Sequence, residues 1–269
     1  MKAIDLAFQS FGAEGPALLI LHGVFGSGRN WTGIARKLAE HHRVLVPDLR
    51  NHGASGHSPD MDYPHLAADL VRLLDSRRID SATVIGHSMG GKAAMWLALT
   101  EAARVDRLVA VDIAPVRYDH NFDPILSAMR ALPLAEIRSR GQAGDWLSRF
   151  IPESGLREFL LQNLVPENGR YRWRIDLEII QRAMPDLLDF PRPETLPPYP
   201  GDALFIGGSR SRTMLTEHTG AITRICPSAR IEMIQDAGHW VQVDQPEQFL
   251  RSVEPFLQGL LGHPGSRDA

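Results

Sequence analysis

Two residues of this chain, Ser88 and His239, have the types and surroundings that nucleophilic catalysis requires. Ser88 stands at the centre of Gly-His-Ser-Met-Gly at residues 86–90, after a short apolar run and before an Ala- and Leu-rich segment. Strand, tight turn and helix in this order are the context in which Gly-x-Ser-x-Gly forms a nucleophile elbow, with the serine hydroxyl exposed at a helix N-terminus. The five-residue pattern also arises by chance. The predicted strand before it and the predicted helix after it are what favour a catalytic serine.

His239 is the candidate base for Ser88, because a serine hydroxyl is a poor nucleophile unless a base accepts its proton. It follows the last predicted strand, 230–234, and should therefore reach the sheet edge that carries the elbow. The alternative is a surface-loop histidine, since the chain has 11 histidines. His22 and His87 adjoin glycines near the same edge, and we expect them to be turn or supporting groups rather than bases.

The acid that orients the base is less obvious. The loop 207–212, after the strand that follows the predicted insert, contains no Asp or Glu, and the next one is Glu217. Asp112 ends the strand after the elbow strand, so a parallel sheet brings it to the same edge, where it can bond the second nitrogen of His239. The alternative for Asp112 is a cap for the first insert segment. Ser211 would then add a hydrogen bond to the acid–histidine pair.

Backbone N–H groups are the candidates for the oxyanion hole. The N–H of Met89 follows the nucleophile at the start of its helix, which supplies one donor. The second is expected from the glycine-rich loop 22–28, at Val24, with Phe25 as the neighbouring alternative. That loop lacks Gly-x-Gly-x-x-Gly, and we see no metal-ligand spacing, so neither a dinucleotide nor any other cofactor nor a metal is predicted.

Apolar runs that alternate with helical segments predict an α/β protein with a doubly wound, mostly parallel sheet. We expect a core from 1–113 and 201–262, a helical cap from 114–200 inserted between sheet strands, and a loose tail from 263–269. The cap is predicted to be entirely helical, because strand signals vanish there while prolines become frequent. It should cover the C-terminal edge of the sheet, where open α/β sheets bind ligands.

The individual elements follow from periodicity. Continuous apolar runs of strand length predict strands buried on both faces of the sheet, and apolar residues at every third or fourth position predict helices. The predicted strands are 17–21, 43–48, 82–87, 107–111, 203–206 and 230–234 with a weak edge strand at 3–8, and the predicted core helices are 31–40, 63–76, 89–102 and 246–261.

The substrate pocket is the least readable part of the site. Phe25, Trp146, Phe150 and Trp240 are the candidates for its lining. Other aromatic or apolar residues of the insert are also candidates, but aromatic residues at loose helical spacing equally fit the interior of the cap: Phe122, Phe159, Leu160 and Trp173.

Composition bounds the partners. The chain has 269 residues, is 43% hydrophobic and 23% charged, and has a net charge of −3, so neither nucleic acid nor an anionic membrane is indicated. No apolar run approaches the roughly 20 residues of a membrane span, no signal peptide is apparent, and the single Cys226 excludes an internal disulfide. We expect a cytoplasmic protein, and the sequence does not predict its oligomeric state.

Five motifs together resemble the α/β-hydrolase superfamily, and more narrowly its small bacterial YbfF-type esterases. They run in the right order between residues 17 and 245, and they are HGVFGS at 22–27, DLRNHG at 48–53, GHSMGGKA at 86–93, VDIAPV at 111–116 and AGHWV at 237–241. The resemblance implies Asp112 as the acid and Ser211 as a further site residue. It also implies activity on short-chain esters and acyl-CoA thioesters, which nothing in the residues themselves indicates.

The sequence therefore predicts a serine hydrolase that cleaves carboxylic esters or thioesters through an acyl-enzyme intermediate. Two alternatives use the same fold. One is carbon–carbon bond hydrolysis or perhydrolase chemistry on the same three residues. The other is a ligand receptor in which the Ser, His and Asp set is vestigial.

Overall fold

A seven-stranded sheet forms the centre of the computed structural model, which describes residues 2–191 and 195–260. The strand order is β1-β3-β2-β4-β5-β8-β9, and every pair is parallel except the edge pair of β1 with β3. The doubly wound, mostly parallel sheet is thus confirmed. Its strands are β1 (Phe8–Phe11), β2 (Ala17–Leu21), β3 (Arg43–Pro47), β4 (Ala82–His87), β5 (Val105–Val111), β8 (Asp202–Gly208) and β9 (Arg230–Ile234).

Alternate residues of each central strand enter two different apolar cores. On β2, Leu19 and Leu21 pack into the core beneath the elbow helix, while Leu18 and Ile20 pack with Trp31 on the opposite face. Both faces are covered, which is why these strands read as unbroken apolar runs rather than as alternating ones.

Ten helices surround the sheet and its insert within the described residues. Tyr63–Ser76 has the predicted bounds, begins at the capping side chain of Asp62, and carries proline at its second position, where a missing N–H costs nothing. The helices are α1 (Thr32–Leu38), α2 (Tyr63–Ser76), α3 (Met89–Thr100), α4 (Asp123–Ala131), α5 (Arg140–Leu147), α6 (Ser154–Leu161), α7 (Leu177–Leu188), α8 (Thr219–Ile225), α9 (Val241–Asp244) and α10 (Pro246–Leu257).

The insert between β5 and β8 is not entirely helical. Besides α4, α5, α6 and α7 it contains an antiparallel hairpin of β6 (Leu164–Glu167) and β7 (Arg170–Trp173). Asn168 and Gly169 form its two-residue turn, both with positive φ, as a type I′ turn requires. The Asn-Gly pair is the sequence signal for this hairpin, since it is typical of such two-residue turns.

The edge strand lies later than predicted, at Phe8–Phe11 rather than at residues 3–8. Two N–H groups of the earlier residues donate to side chains rather than to a neighbouring strand: that of Ile4 to Asp69 and that of Ala7 to Ser55. No helix within the described ranges is long and apolar enough to cross a membrane. The predicted tail, 263–269, lies outside the described residues.

Candidate active site

Ser88 occupies the tight turn between β4 and α3, with φ +53° and ψ −121°. A positive φ is rare and strained for a residue with a side chain. Two backbone hydrogen bonds hold it: the Ser88 N–H donates to the Val111 carbonyl at 3.1 Å, and its own carbonyl accepts from Lys92 N–H at 3.1 Å. The turn between strand and helix is therefore a strained elbow, as the motif predicts.

The glycines of the elbow are needed for close packing. A Cβ on Gly90 would lie 2.6 Å from the His22 carbonyl oxygen and 2.7 Å from that of Leu21. A Cβ on Gly86 would collide with the Gly90 backbone. The elbow can therefore rest directly against the end of β2.

Asp112 and His239 are in direct contact at the same sheet edge. Asp112 follows β5, is fully buried, and its Oδ2 lies 2.7 Å from His239 Nδ1. The same oxygen accepts from the Ser211 hydroxyl at 2.5 Å, and Oδ1 accepts from the Gly208 N–H at 3.1 Å. A buried carboxylate with these three donors is electrostatically satisfied, and it orients the imidazole ring.

Ser88 and His239 line one cavity together. Because Nδ1 of His239 faces Asp112, Nε2 is the nitrogen left for the serine. Among the described residues the Ser88 hydroxyl makes no hydrogen bond. Such bonds are often long or misaligned in a free enzyme and tighten when substrate binds.

Two backbone N–H groups beside Ser88 are unused, one in the loop after β2 and one at the start of α3. Within the described residues the N–H groups of Val24 and Met89 have no hydrogen-bond partner. The neighbouring alternative, Phe25, is already engaged, because its N–H donates to His52 Nε2 at 3.1 Å. The geometry therefore favours Val24 over Phe25 as the second oxyanion donor.

Two side chains that sequence reasoning missed hold the Phe25 peptide from opposite sides. His52 accepts from the Phe25 N–H, and Asn163 of the insert donates its Nδ2 to the Phe25 carbonyl at 2.7 Å. Both side chains are buried. Burial lowers the pKa of His52 to about 3, so it stays neutral and can act as an acceptor. These two hydrogen bonds fix the backbone of Phe25 and thereby orient the chain around Val24.

His22 and His87 are buried next to the site and bond backbone groups. His22 Nδ1 donates to the Gly23 carbonyl and its Nε2 accepts from the Leu49 N–H. His87 Nε2 donates to the carbonyl of His239 at 2.8 Å, which anchors the loop of the candidate base. Burial lowers the pKa of His22 to about 4 and that of His87 well below its usual value. Both rings therefore stay neutral near pH 7.

Lys92, four residues after the nucleophile, ties the insert to the elbow helix. Its buried Nζ donates to the carbonyls of Val116, Leu188 and Asp189 at 2.8–2.9 Å, at the beginning and end of the insert. It also lies 4.8 Å from the centre of the Tyr118 ring. Burial lowers the pKa of Lys92, and the nearby negative charge of Asp189 partly opposes this by favouring the ammonium form. A lysine in an apolar-looking helix carried no sequence signal for this contact.

A cavity of about 580 Å³ opens above Ser88 and His239. Its walls are largely apolar, and they come from the loop after β2, α4, α6 and the loop after His239. The predicted pocket residues Phe25 and Trp240 belong to them, together with Phe122, Ile125, Leu156 and Phe159. The Phe159 and Trp240 rings pack with centroids 5.2 Å apart, so an insert helix meets the core loop across the cavity.

Trp146 and Phe150 do not lie in that wall, which corrects half of the predicted pocket. Their rings pack on each other at 4.9 Å on the α5 side of the insert, and 55% of the Phe150 surface is exposed. Aromatic type alone did not reveal which face of the insert meets the nucleophile. A second, small cavity of about 50 Å³ adjoins the first, and both are lined by Val24, Ser88, Phe122 and His239.

Residues 16–246 match the family model of the alpha/beta hydrolase fold. The chain belongs to the α/β hydrolase fold family. The predicted resemblance to this superfamily, and within it to YbfF, is thereby confirmed.

Similar α/β hydrolases include esterases and lipases. The sn-1-specific diacylglycerol lipase ABHD11 of Xenopus tropicalis is 42% identical over 96% of this chain and 83% of that protein. Esterase YbfF of Escherichia coli strain K12 is 37% identical over 89% of this chain and 92% of that protein. A solved marine microorganism esterase has a TM-score of 0.91 at 35% identity, covering 94% of this chain and 99% of that one. This α/β hydrolase is therefore a hydrolase of the esterase and lipase type.

Proposed function

We propose that the chain is a serine hydrolase that cleaves neutral carboxylic esters through an acyl-enzyme intermediate, with Ser88, His239 and Asp112 as its catalytic residues. The observation that carries the proposal is the 2.7 Å contact of buried Asp112 with His239, beside the strained elbow of Ser88. Strain at a non-glycine residue and a buried carboxylate–histidine pair both cost stability. Such features are found mainly where function requires them.

In the proposed first step, Ser88 Oγ attacks the ester carbonyl carbon while His239 Nε2 takes its proton. Asp112 stabilises the resulting imidazolium, and the N–H groups of Val24 and Met89 bond the negatively charged oxygen of the tetrahedral intermediate. His239 then gives the proton to the departing alcohol oxygen, which leaves an acyl group on Ser88.

In the second step, water repeats the attack. His239 takes a proton from the water as its oxygen attacks the acyl carbon, and returns that proton to Ser88 Oγ as the carboxylic acid leaves. Ser211 and Gly208 donate hydrogen bonds to the Asp112 carboxylate and hold it in position beside the ring of His239.

The wall of the large cavity supports an uncharged substrate. Its aromatic and aliphatic side chains suit an acyl chain, and the exposed Glu158 and Asp244 are acidic groups of its lining. No lysine or arginine belongs to the lining in the part of the chain that the structure describes. Coenzyme A carries several phosphate charges, so we favour esters of neutral alcohols over acyl-CoA thioesters. The names of the relatives, an esterase and a diacylglycerol lipase, agree with this choice.

Labelling with a fluorophosphonate probe tests the proposal, because the probe phosphonylates only an activated serine. The native chain should be labelled on the peptide that contains Ser88, and prior incubation with an ester substrate should slow the labelling. Ser76→Ala, a change on the outer helix α2, should be labelled like the native chain, and Ser88→Ala should not be labelled. Absence of labelling in the native protein would instead support the receptor alternative, in which the three residues are vestigial.

A further inference from the structure

Thr213, in the loop after β8, lies beside the pair formed by Asp112 and His239. Its side-chain oxygen Oγ1 is 3.4 Å from His239 Nδ1, the nitrogen that also contacts Asp112 Oδ2. The residue is only 6% exposed, and it lines the small cavity together with Ser88 and His239. Within the described part of the chain the Thr213 hydroxyl makes no other hydrogen bond. A role for this hydroxyl must therefore lie in its contact with the candidate base.

The backbone of Thr213 is fixed from two sides, which sets the position of the hydroxyl. The Thr213 N–H donates to Ser211 Oγ at 3.1 Å, and the Ser211 hydroxyl in turn donates to Asp112. The Thr213 carbonyl accepts from the Tyr118 hydroxyl at 2.8 Å, and the oxygen of that hydroxyl accepts from the Ala114 N–H at 2.9 Å. Tyr118 is buried near the beginning of the insert. Thr213 is thus linked through Ser211 to the acid and through Tyr118 to the insert.

The distances distinguish the two oxygens at Nδ1. Asp112 Oδ2, at 2.7 Å, is the main acceptor of the Nδ1 proton, and Thr213 Oγ1, at 3.4 Å, lies at the long end of hydrogen-bond geometry. An oxygen lone pair next to this N–H favours the charged ring over the neutral one. In the proposed mechanism the ring becomes charged in both steps, so the contact is stronger in the transition states than in the free enzyme. A contact of that kind raises kcat and affects KM little.

We propose that Thr213 is a positioning residue for the reaction: its hydroxyl is a second acceptor for His239 Nδ1–H, which keeps the ring aligned towards Ser88 and stabilises the imidazolium. This inference rests on the proposed function. No local sequence pattern marks the role, because Thr213 and His239 are 26 positions apart.

Two substitutions separate the hydroxyl of Thr213 from its shape. Thr213→Val keeps the branched shape and removes the oxygen, whereas Thr213→Ser keeps the hydroxyl and removes the methyl group. With p-nitrophenyl butanoate, kcat should fall about 3- to 10-fold in Thr213→Val, the value of one weak hydrogen bond, and KM should change less than about twofold. Thr213→Ser should retain at least about half of the native kcat. A residue that serves only packing would give the opposite order, because valine fills the space of threonine and serine does not.

Thr223→Val is the matched control, since the Thr223 hydroxyl bonds backbone carbonyls of its own helix α8 at an exposed position. Its kcat should equal that of the native chain within about twofold, and circular dichroism should show that all three variants are folded. A native kcat in Thr213→Val, or a greater loss in Thr213→Ser than in Thr213→Val, would overturn the role of the hydroxyl, while turnover and labelling of the native chain would leave the proposed function intact.

A variant that does not fold has a replacement. If Thr213→Val fails to fold, Thr213→Ala takes its place, and equal kcat values in Thr213→Ala and Thr213→Ser would then overturn the role. If the native chain neither hydrolyses the ester nor is labelled on Ser88, the proposed function fails together with this inference.

Discussion

The two walls of the large cavity are built by different forces. On the core side, the groups around the proposed chemistry are held by short polar contacts: Asp112 bonds three donors, and His87 anchors the loop of His239. On the side of the insert, Phe122 and Phe159 present apolar surface and are placed by packing.

Several polar contacts join the insert to the core. Lys92 ties both ends of the insert to the elbow helix, and Asn163 bonds the Phe25 carbonyl in the loop after β2. The difference teaches that a hydrogen-bonded sheet edge can keep reaction geometry constant while an apolar insert adapts to different substrates. Changes on the core side should therefore lower kcat, and changes on the insert side should alter substrate preference.

Asp112→Asn should have a large effect on the core side. An amide in place of the carboxylate favours the wrong histidine tautomer and no longer stabilises the imidazolium, so kcat should fall about 10⁴-fold. Steady-state hydrolysis of p-nitrophenyl butanoate measures this. Asp106→Asn, at the exposed opposite end of the same strand, should retain the native kcat within twofold, and a similar loss in both variants would contradict the role of Asp112.

Asn163→Leu probes a contact between the walls. Without its bond to the Phe25 carbonyl, the loop around Val24 loses its fixed orientation, and kcat should fall roughly 10- to 100-fold, as after partial loss of one oxyanion donor. KM should change much less, because the cavity wall is kept. Gln181→Leu, which removes an amide bonded to Arg130 within the insert, should have less than a twofold effect. A rise in KM alone would show that Asn163 serves only packing.

Phe122→Ala tests whether substrate preference depends on the insert residues that line the cavity and not on those at the insert surface. Its ring lines both cavities, so the variant should lower kcat/KM for p-nitrophenyl octanoate about tenfold and lower that for the acetate ester less. Phe150→Ala should leave both values within twofold, because the ring lies outside the described cavity wall. Equal effects of the two variants would remove the distinction between them.

The buried histidines predict a smaller, pH-dependent effect on stability. The pKa of His22 is about 4 and that of His52 about 3 in the folded protein, against about 6.5 in an unfolded chain. Below pH 6.5 the unfolded state therefore binds protons that the folded state does not. The free energy of unfolding should fall between pH 6.5 and pH 4, by about 1.4 kcal/mol per pH unit for each histidine at most.

Urea unfolding at several pH values measures this slope. His52→Gln keeps an acceptor for the Phe25 N–H but removes one proton-binding group, so its slope should be flatter than that of the native chain. His57→Gln, at an exposed position, should keep the native slope. An unchanged slope in His52→Gln would show that this ring is not the source of the acid sensitivity.

Much of the sheet and one contact of the site could be predicted from sequence, because strong local patterns dictate them. Ala17–Leu21 and Arg230–Ile234 have the predicted bounds, since apolar runs between polar loops leave little choice of register. The contact of Asp112 with His239 follows from topology alone, because parallel strands deliver their following residues to one edge.

The missed features depend on contacts between residues far apart in the chain. Asn163 meets Phe25 across 138 positions, and Lys92 meets Asp189 across 97, so no local pattern marks either. Phe150 looked like a pocket residue because its type is apolar, but which face of a short helix points inward is set by packing of the whole insert. From sequence alone His52 is one of several loop histidines. The structure shows that its ring accepts a hydrogen bond from the Phe25 N–H.

The proposed role of Ser88 as the nucleophile is tested by the turnover of Ser88→Ala. With p-nitrophenyl butanoate as substrate and circular dichroism to verify the fold, kcat should fall by about 10⁴-fold or more, to the residual rate that binding and the oxyanion donors alone supply. A folded Ser88→Ala protein that hydrolyses this ester at a rate within tenfold of the native chain would contradict the account.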